Sequence, residues 1–236
     1  PLLLEASDDV GGRVRTDVVD GFLLDRGFQL LLTAYPECRR VLDYAALDLR
    51  AFEPGATIRV GGRFHMLVDP FRQPRHSLVS LVAPIGNLAD KIRVLGLRRD
   101  VSRTAVDQLF ARPATTTLEA LRARGFSPAM IDRFFRPFLG GIALDLELGA
   151  SSRMFEFVFR MLSLGDNALP AAGIGAIPRQ LAAGLPPAIV RLRSPVACVA
   201  AHEVALRSPH AVPPAAVVVR TALPAPAAPS RPRAPP

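Results

Sequence analysis

An acidic residue directly after a short apolar run is the first feature of the sequence that could do chemistry. Glu5 follows Leu2–Leu4, and Gly11–Gly12, Arg13 and Arg15 come soon after it. A carboxylate at the carboxyl end of a buried strand is costly without a partner, and in dinucleotide-binding βαβ folds that partner is a ribose hydroxyl. Glycines let the backbone approach a cofactor closely, and an arginine fork suits a pyrophosphate or a carboxylate. The alternatives are a solvated strand end and an ordinary turn.

The elements that must position these residues alternate between strand and helix patterns. Leu2–Leu4 predicts a short buried strand, and segment 17–29 predicts short strands around Gly21 and Gly27. Thr57–Leu67 predicts a hairpin about Gly61–Gly62. Apolar residues recur at helical spacing in Tyr35–Tyr44, Leu88–Leu97, Thr117–Arg124, Ser127–Phe138 and Ser151–Leu164. Gly173–Leu185 predicts a glycine loop that leads into a short helix, and Ile189–Val199 returns to a strand pattern.

Two details of the helices are open to a structural check. Ser127 with Pro128 suits a helix start. Thr117 is followed three residues later by Ala120, so the helix that begins there is expected to lack a capping box. The apolar stripe of Ser151–Leu164, which includes Met154, predicts a face that packs on the core.

Several segments together resemble the FAD-dependent amine oxidase and phytoene desaturase-like superfamily. They are LLLEASDDVGGRVRT at 2–16, DRGFQ at 25–29, RFFRPFLGGIALDLEL at 133–148, SSR at 151–153 and LPAAGIGAIPRQLAAGLP at 169–186. A V-x-x-V strand at 196–199 follows in the order that the family keeps. The resemblance covers roughly residues 2–205.

The resemblance implies FAD as the cofactor and assigns eight residues to it. Glu5 would bind the ribose of the adenosine, Arg13 would lie near the pyrophosphate, and a glycine turn at Gly27 would lie near the isoalloxazine. The full set is Glu5, Gly11, Gly12, Arg13, Arg15, Gly27, Phe28 and Gln29. Gly173–Pro178 would lead into a helix close to the flavin or the substrate. Neither a catalytic residue nor a metal site is predicted.

The implied fold class is α/β, an incomplete Rossmann-like FAD-binding domain with an inserted, largely helical substrate domain. Residues 1–68 and 181–206 would belong to the FAD-binding domain, 69–180 to the substrate domain, and 207–236 to a Pro/Ala/Arg-rich tail that we expect to be disordered, although a strand is expected at 216–219. The family's G-x-G-x-x-G unit would precede Leu2, and its last FAD segment would follow the tail. We therefore expect a truncated chain that, alone, binds FAD weakly or not at all and is inactive.

The implied function is FAD-dependent hydride transfer from a C–N or C–C bond of a small apolar or amine substrate. One alternative is an inactive fragment with no specific ligand. Another is a basic protein at a membrane surface, because LADKIRVLGLRR at 88–99 is amphipathic with a basic end. We expect a cytoplasmic protein, with peripheral membrane contact as the alternative. The sequence does not indicate the oligomeric state.

Composition narrows the partners further. The net charge is +8 and the pI is near 11, but the basic residues are scattered arginines, with Lys91 the only lysine. Nucleic-acid binding is therefore not predicted, because it calls for clustered charge. Cys38 and Cys198 match no metal spacing, and no apolar run reaches the length of a membrane span.

Overall fold

The structure is a computed structural model, and it describes residues 2–27, 30–68, 72–73, 75, 80, 83–199 and 204–206. The strands are β1 (Leu3–Leu4), β2 (Arg15–Val19), β3 (Phe22–Arg26), β4 (Leu31–Leu32), β5 (Leu49–Ala51), β6 (Gly55–Val60), β7 (Arg63–Val68), β8 (Asn167–Pro170), β9 (Val190–Arg191), β10 (Val196–Val199) and β11 (Val204–Leu206). The helices are α1 (Pro36–Val41), α2 (Leu88–Arg103), α3 (Val106–Ala111), α4 (Thr117–Ala123), α5 (Pro128–Met130, a π turn at Ile131–Phe135, and Arg136–Ala143), α6 (Ser152–Leu164) and α7 (Ala176–Ala183).

The chain divides into two compact units. The flanking unit is Pro1–Gly27 with Ala172–Pro236, and the central unit is Phe28–Ala171. The domain boundaries expected at 68/69 and 180/181 stay a prediction. The tail after residue 206 and the strand expected at 216–219 lie outside the described residues.

Short strands in pairs form the sheets of the flanking unit. β1 and β9 pair in parallel, with Leu3 opposite Val190, and a parallel pair requires a long crossover such as the 186 residues between these two positions. β2 and β3 form an antiparallel hairpin, and β10 pairs with β11. The hairpin turns at Asp20 and Gly21, which both have positive φ, as a tight two-residue turn requires.

The central unit combines two small sheets with most of the helices. Its three-stranded antiparallel sheet has the order β4–β8–β5. β6 and β7 form the hairpin predicted around Gly61–Gly62, and both glycines have positive φ. One face of this hairpin, with Ile58 and Leu67, packs on the helices.

Caps and apolar periodicity explain the helices of the central unit. Asn87 and Asp90 form a capping box at the start of α2, and Ser127 caps α5 as predicted. The expectation that α4 lacks a capping box is wrong, because its N-cap is Thr116 and Glu119 supplies the acid. The N-cap lies one residue before Thr117, which moves the N3 position from Ala120 to Glu119.

The core of the central unit is built from helices α2, α4, α5 and α6. Phe135 is fully buried and makes edge contacts with Phe126 and Phe155, at ring-centroid distances of 4.8 Å and 6.2 Å. The predicted core face of α6 is present, although Met154 is exposed. Asp90 is buried at the edge of this core. Desolvation opposes its ionisation, but hydrogen bonds from Ser127 and Asn87 outweigh it and keep the pKa of Asp90 below its ordinary value.

Within the described ranges, no helix combines the length and apolar character that crossing a bilayer requires. Likewise, none of the described His, Cys, Asp and Glu side chains form a group of three or more suited to a metal ion.

Candidate functional site

Glu5 lies where the sequence suggested, directly after a strand that pairs in parallel. Its backbone N–H donates to the carbonyl of Arg191 at 2.9 Å, and its own carbonyl accepts from the N–H of Ser194 at 2.8 Å. Its Oε1 accepts from the N–H and the hydroxyl of Ser7, at 2.8 Å and 2.7 Å. No described residue donates to Oε2. The carboxylate is therefore held by one oxygen and can accept from a ligand with the other.

The glycine pair after Glu5 consists of two unlike positions. Gly11 has φ 106°, and a Cβ there would collide with the carbonyl oxygen of Val14 and lie 2.7 Å from Cγ of Pro178. Gly12 has φ 55°, and a Cβ there would meet nothing within 4 Å. Gly11 is thus required by the packing of the protein itself, whereas the backbone at Gly12 is open to a ligand.

The two arginines of this loop differ in the same way. Arg15 donates to Asp8 at 2.8 Å, and only 13% of its side chain is exposed. The hydrogen bond from Arg15 lowers the pKa of Asp8 below its ordinary value. Arg13 is exposed and makes no hydrogen bond or ion pair with a described residue. Arg13 is therefore the arginine that can meet an anionic ligand without losing a protein partner.

A polar contact that the sequence did not reveal joins the β2–β3 hairpin to the loop before α7. We call it the hairpin junction; its residues are Thr16, Asp25, Gly173, Ile174 and Gly175. The Thr16 hydroxyl donates to Asp25 Oδ1 at 2.5 Å and accepts from the N–H of Gly175 at 2.9 Å. Asp25 Oδ1 also accepts from the N–H of Ile174 at 3.0 Å. Because these N–H groups are already bonded, the Gly173–Gly175 loop does not offer them to a phosphate.

Of the remaining predicted cofactor residues, the structure describes only Gly27. It has φ 67°, and a Cβ there would lie 4.0 Å from the carbonyl oxygen of Arg13. The structure thus brings Gly27 close to the Gly11–Arg13 loop. Phe28 and Gln29 lie outside the described residues.

The central unit contains a cavity of about 430 Å³. Its wall is mostly apolar and includes Val94, Leu95, Met130, Phe134, Phe138 and Phe159. The rings of Phe134 and Phe138 stack at 5.5 Å with an interplanar angle of 9°. Phe134 belongs to the π turn of α5, and π turns of this kind occur frequently at functional sites. The size and lining of the cavity suit a small organic ligand.

Polar side chains of the cavity wall include those of Arg72, Lys91, Arg98 and Asn167. Arg72 forms an ion pair with Asp166, and Lys91 Nζ donates to the carbonyl of Ala83 at 2.9 Å. Burial lowers the pKa of Lys91. Arg98 donates to the carbonyl of Ser163 at 3.5 Å. Asn167 Oδ1 is buried and has no hydrogen-bond donor among the described groups. The cavity therefore offers several positions for orienting a ligand by its polar atoms.

The family model for flavin-containing amine oxidoreductases matches residues 1–236, and the chain belongs to this family. The family and the cofactor FAD predicted from the sequence are thereby confirmed at the level of the family. No curated protein matches the chain.

Solved structures agree on the fold. A protein from Exiguobacterium sp. 255-15 assigned as a protoporphyrinogen oxidase is 20% identical, with a TM-score of 0.51, and the match covers 89% of this chain and 51% of that one. Putrescine oxidase bound to putrescine is 20% identical, with a TM-score of 0.53, and the match covers 83% and 45%. The chain thus spans about half the length of these structures. At this identity the likeness shows the fold alone, the mixed helix-and-strand fold of these oxidases.

Proposed function

We propose that the chain supplies the ribose-binding side of an FAD site and the substrate cavity of a flavin-dependent oxidoreductase. The observation that carries the proposal is Glu5, a carboxylate at the carboxyl end of a parallel strand with one oxygen open to a donor. Hydroxyl groups of a ribose are such donors. Gly12 and Arg13 lie in the adjoining loop with open space and an uncommitted guanidinium, which suits a pyrophosphate.

The finer architecture belongs to the same proposal. β1 and β9 would be parallel strands of an incomplete Rossmann-like sheet, and the helices of the central unit would form the inserted substrate domain. Gly27, Phe28 and Gln29 would lie near the isoalloxazine. The closeness of Gly27 to Arg13 supports grouping it with the glycine loop.

Bound FAD would accept the hydride that the substrate loses when its C–N or C–C bond is oxidised. The residues of this chain have other tasks. Glu5 and Arg13 bind and orient the cofactor, while the apolar wall around Phe134 and Phe138 holds an apolar or amine substrate and excludes water. No general base is assigned, because the buried cavity has no carboxylate or histidine with a defined position toward a substrate among its described residues.

The cofactor part is tested by comparing FAD with FMN, which lacks the adenosine. Glu5→Gln is expected to weaken FAD binding by at least about tenfold, because a hydrogen bond to a charged acceptor is replaced by a neutral one. FMN binding is expected to stay unchanged. Flavin fluorescence titration measures both, and Glu147→Gln, an exposed glutamate of the central unit, is the matched control. Equal FAD affinities of the wild type and Glu5→Gln would contradict the proposal.

The substrate part is tested without turnover, by equilibrium binding of a panel of amines and uncharged apolar compounds. Phe134→Ala is expected to raise Kd at least about tenfold for the compounds that the wild type binds, because it removes a large apolar contact. Exposed Phe64→Ala is the control. A Phe134→Ala variant with an unchanged Kd would show that these compounds do not occupy this cavity.

An exposed apolar stripe on α2 favours a second candidate, binding to an anionic membrane surface. Leu88, Ile92 and Leu95 are 59%, 61% and 36% exposed and share a helix face with Arg99. Co-sedimentation with anionic liposomes, absent with neutral ones and reduced in a Leu88→Ser/Ile92→Ser variant, is the expected result. The remaining alternative, a chain with no specific ligand, predicts neither liposome binding nor an effect of Glu5→Gln.

A further inference from the structure

We propose that Thr16 and Asp25 are positioning residues for the cofactor loop. They hold the Gly173–Gly175 loop against the β2–β3 hairpin, and this contact seats Pro178 against Gly11. The shape of the Gly11–Arg13 loop then depends on a segment that lies far away in the sequence. The inference rests on the proposed function for its cofactor readout, but its structural part can be measured without FAD.

The hairpin junction is a closed set of hydrogen bonds. Thr16 is buried, and its single hydroxyl both donates to Asp25 and accepts from Gly175. Asp25 uses one oxygen for Thr16 and for the N–H of Ile174. Hydrogen bonds to an ionised carboxylate are roughly twice as strong as neutral ones. Loss of either side chain would leave N–H groups of the loop without acceptors.

Steric fit makes the same contact specific. A Cβ on Gly173 would lie 2.9 Å from Asp25 Oδ1, and a Cβ on Gly175 would lie 2.9 Å from the backbone nitrogen of Thr16. Gly173 also has φ 82°, which side chains rarely adopt. The two glycines therefore allow the loop to approach the hairpin closely enough for its N–H groups to reach Thr16 and Asp25.

One covalent connection and two contacts carry the effect of the junction to the cofactor loop. Thr16 is the second residue of β2, directly after that loop. Pro178, three residues after Gly175, packs against the position where Gly11 has no Cβ. Arg179 forms an ion pair with Asp9 at 3.3 Å. The cofactor loop, Gly11–Arg13, is thus held by α7 on one side and by the hairpin on the other.

The test uses substitutions that separate the hydroxyl from the shape of Thr16. Thr16→Val keeps the shape and removes the hydroxyl, and it is expected to lower FAD affinity about tenfold, which is the cost of one hydrogen bond. Thr16→Ser keeps the hydroxyl and is expected to stay within about threefold of the wild type. Asp25→Asn keeps an acceptor and is expected to give a smaller loss than Thr16→Val. Asp17→Asn is the matched control, because Asp17 lies on the same hairpin and its only ion-pair partner within the described part of the chain is Arg26.

Hydrogen exchange supplies the readout that does not need FAD. In Thr16→Val, the amides of Ile174 and Gly175 are expected to exchange at least about tenfold faster, and the amide of Val14, which donates to the carbonyl of Gly11 at 2.8 Å, is expected to follow. Unchanged exchange in α2 and α6 shows that the central unit is folded.

The outcomes separate the two proposals. If Thr16→Val loosens Ile174 and Gly175 but leaves both Val14 exchange and FAD affinity at the wild-type level, the junction is structural only and the positioning role is overturned. If the wild type binds no FAD, which the expected truncation allows, the isolated chain does not form the proposed cofactor site, and faster Val14 exchange in Thr16→Val still supports the positioning of the loop. If Glu5→Gln weakens FAD binding and the junction variants do not, only the positioning role fails.

Discussion

Each of the two units is stabilised internally by a different kind of interaction. Nearly all buried apolar side chains lie in the central unit, and among the described residues the flanking unit contributes only Ile174 and Val204. On its hairpin, Val18 and Phe22 are each 71% exposed. The flanking unit depends instead on backbone pairing, the hairpin junction and close glycine contacts.

This difference indicates which changes each unit tolerates. An apolar core is sensitive to the loss of volume, because a cavity forfeits both transfer free energy and packing contacts. A close contact between backbones is sensitive to the gain of volume, because even one methyl group has no space to enter. The candidate cofactor residues that the structure describes lie in the flanking unit, which has little core, and this leaves polar and backbone groups available to a ligand.

The largest effect is expected from a substitution that breaks the core of the central unit. Phe135→Ala should lower its free energy of unfolding by about 3–5 kcal/mol, because Phe135 is fully buried among other aromatic rings. Urea denaturation followed by circular dichroism of the helices measures this. Phe64→Ala removes an equally large but exposed ring and should cost less than about 1 kcal/mol. Similar costs for the two would contradict the description of this core.

The flanking unit should respond to the opposite change. Gly173→Ala adds one methyl group and should reduce the opening free energy of the β2–β3 amides by about 2–4 kcal/mol, because it adds both backbone strain and a collision with Thr16. Hydrogen exchange measures the opening. Gly21→Ala is the control, since φ is also positive but the space is open, and it should cost only about 1 kcal/mol. Equal costs would show that strain, not contact, governs this unit.

A network of ion pairs also stabilises the central unit, in addition to its apolar core. Arg112 and Arg124 each bridge Asp100 and the buried Glu156, at 2.5–3.0 Å. Hydrogen bonds from Arg112 keep the pKa of Asp100 below its ordinary value, and the two carboxylates raise the pKa of Arg112.

A lowered pKa in the folded state stabilises the fold above the unfolded pKa, near 4, and this stabilisation is lost as the pH falls through the folded pKa. Asp100→Asn should therefore cost about 1–2 kcal/mol at pH 7 and flatten the decline of stability below pH 4. Urea midpoints of both proteins across pH 3–7 measure this. Parallel curves for the wild type and Asp100→Asn would show that Asp100 does not supply the acid sensitivity.

The smallest effect concerns a helix start. Thr116→Ala should cost about 1 kcal/mol, because it removes the N-cap acceptor of α4. Thr116→Ser should restore most of it. Urea denaturation at pH 7 distinguishes them, and an equal loss in both would mean that the hydroxyl of Thr116 does not cap the helix.

Local patterns explain what the sequence could predict. Apart from α3, which was not predicted, the helices follow from apolar spacing, the β6–β7 hairpin from its glycine pair, and the position of Glu5 from the apolar run before it. The cap of α4 was misplaced because three threonines, Thr115–Thr117, stand side by side, and only the fold decides which hydroxyl reaches the N3 amide.

The hairpin junction was not predictable, because Thr16 and Gly175 are 159 residues apart and neither belongs to a local pattern that implies the other. Glycines at 173 and 175 were the only signal. Periodicity thus identifies elements, whereas the contacts that shape the candidate site arise from chain segments that meet only after folding.

The π turn in α5 has a consequence for how the length of this chain can change. Such a turn contains one residue more than the same stretch of a continuous α-helix would. The side chains before and after the turn are therefore directed as they would be in an α-helix with one residue fewer. A deletion of one residue within Ile131–Phe135 should therefore leave Phe138 directed as it is now. Relatives that differ by one residue here can share the same wall of the cavity.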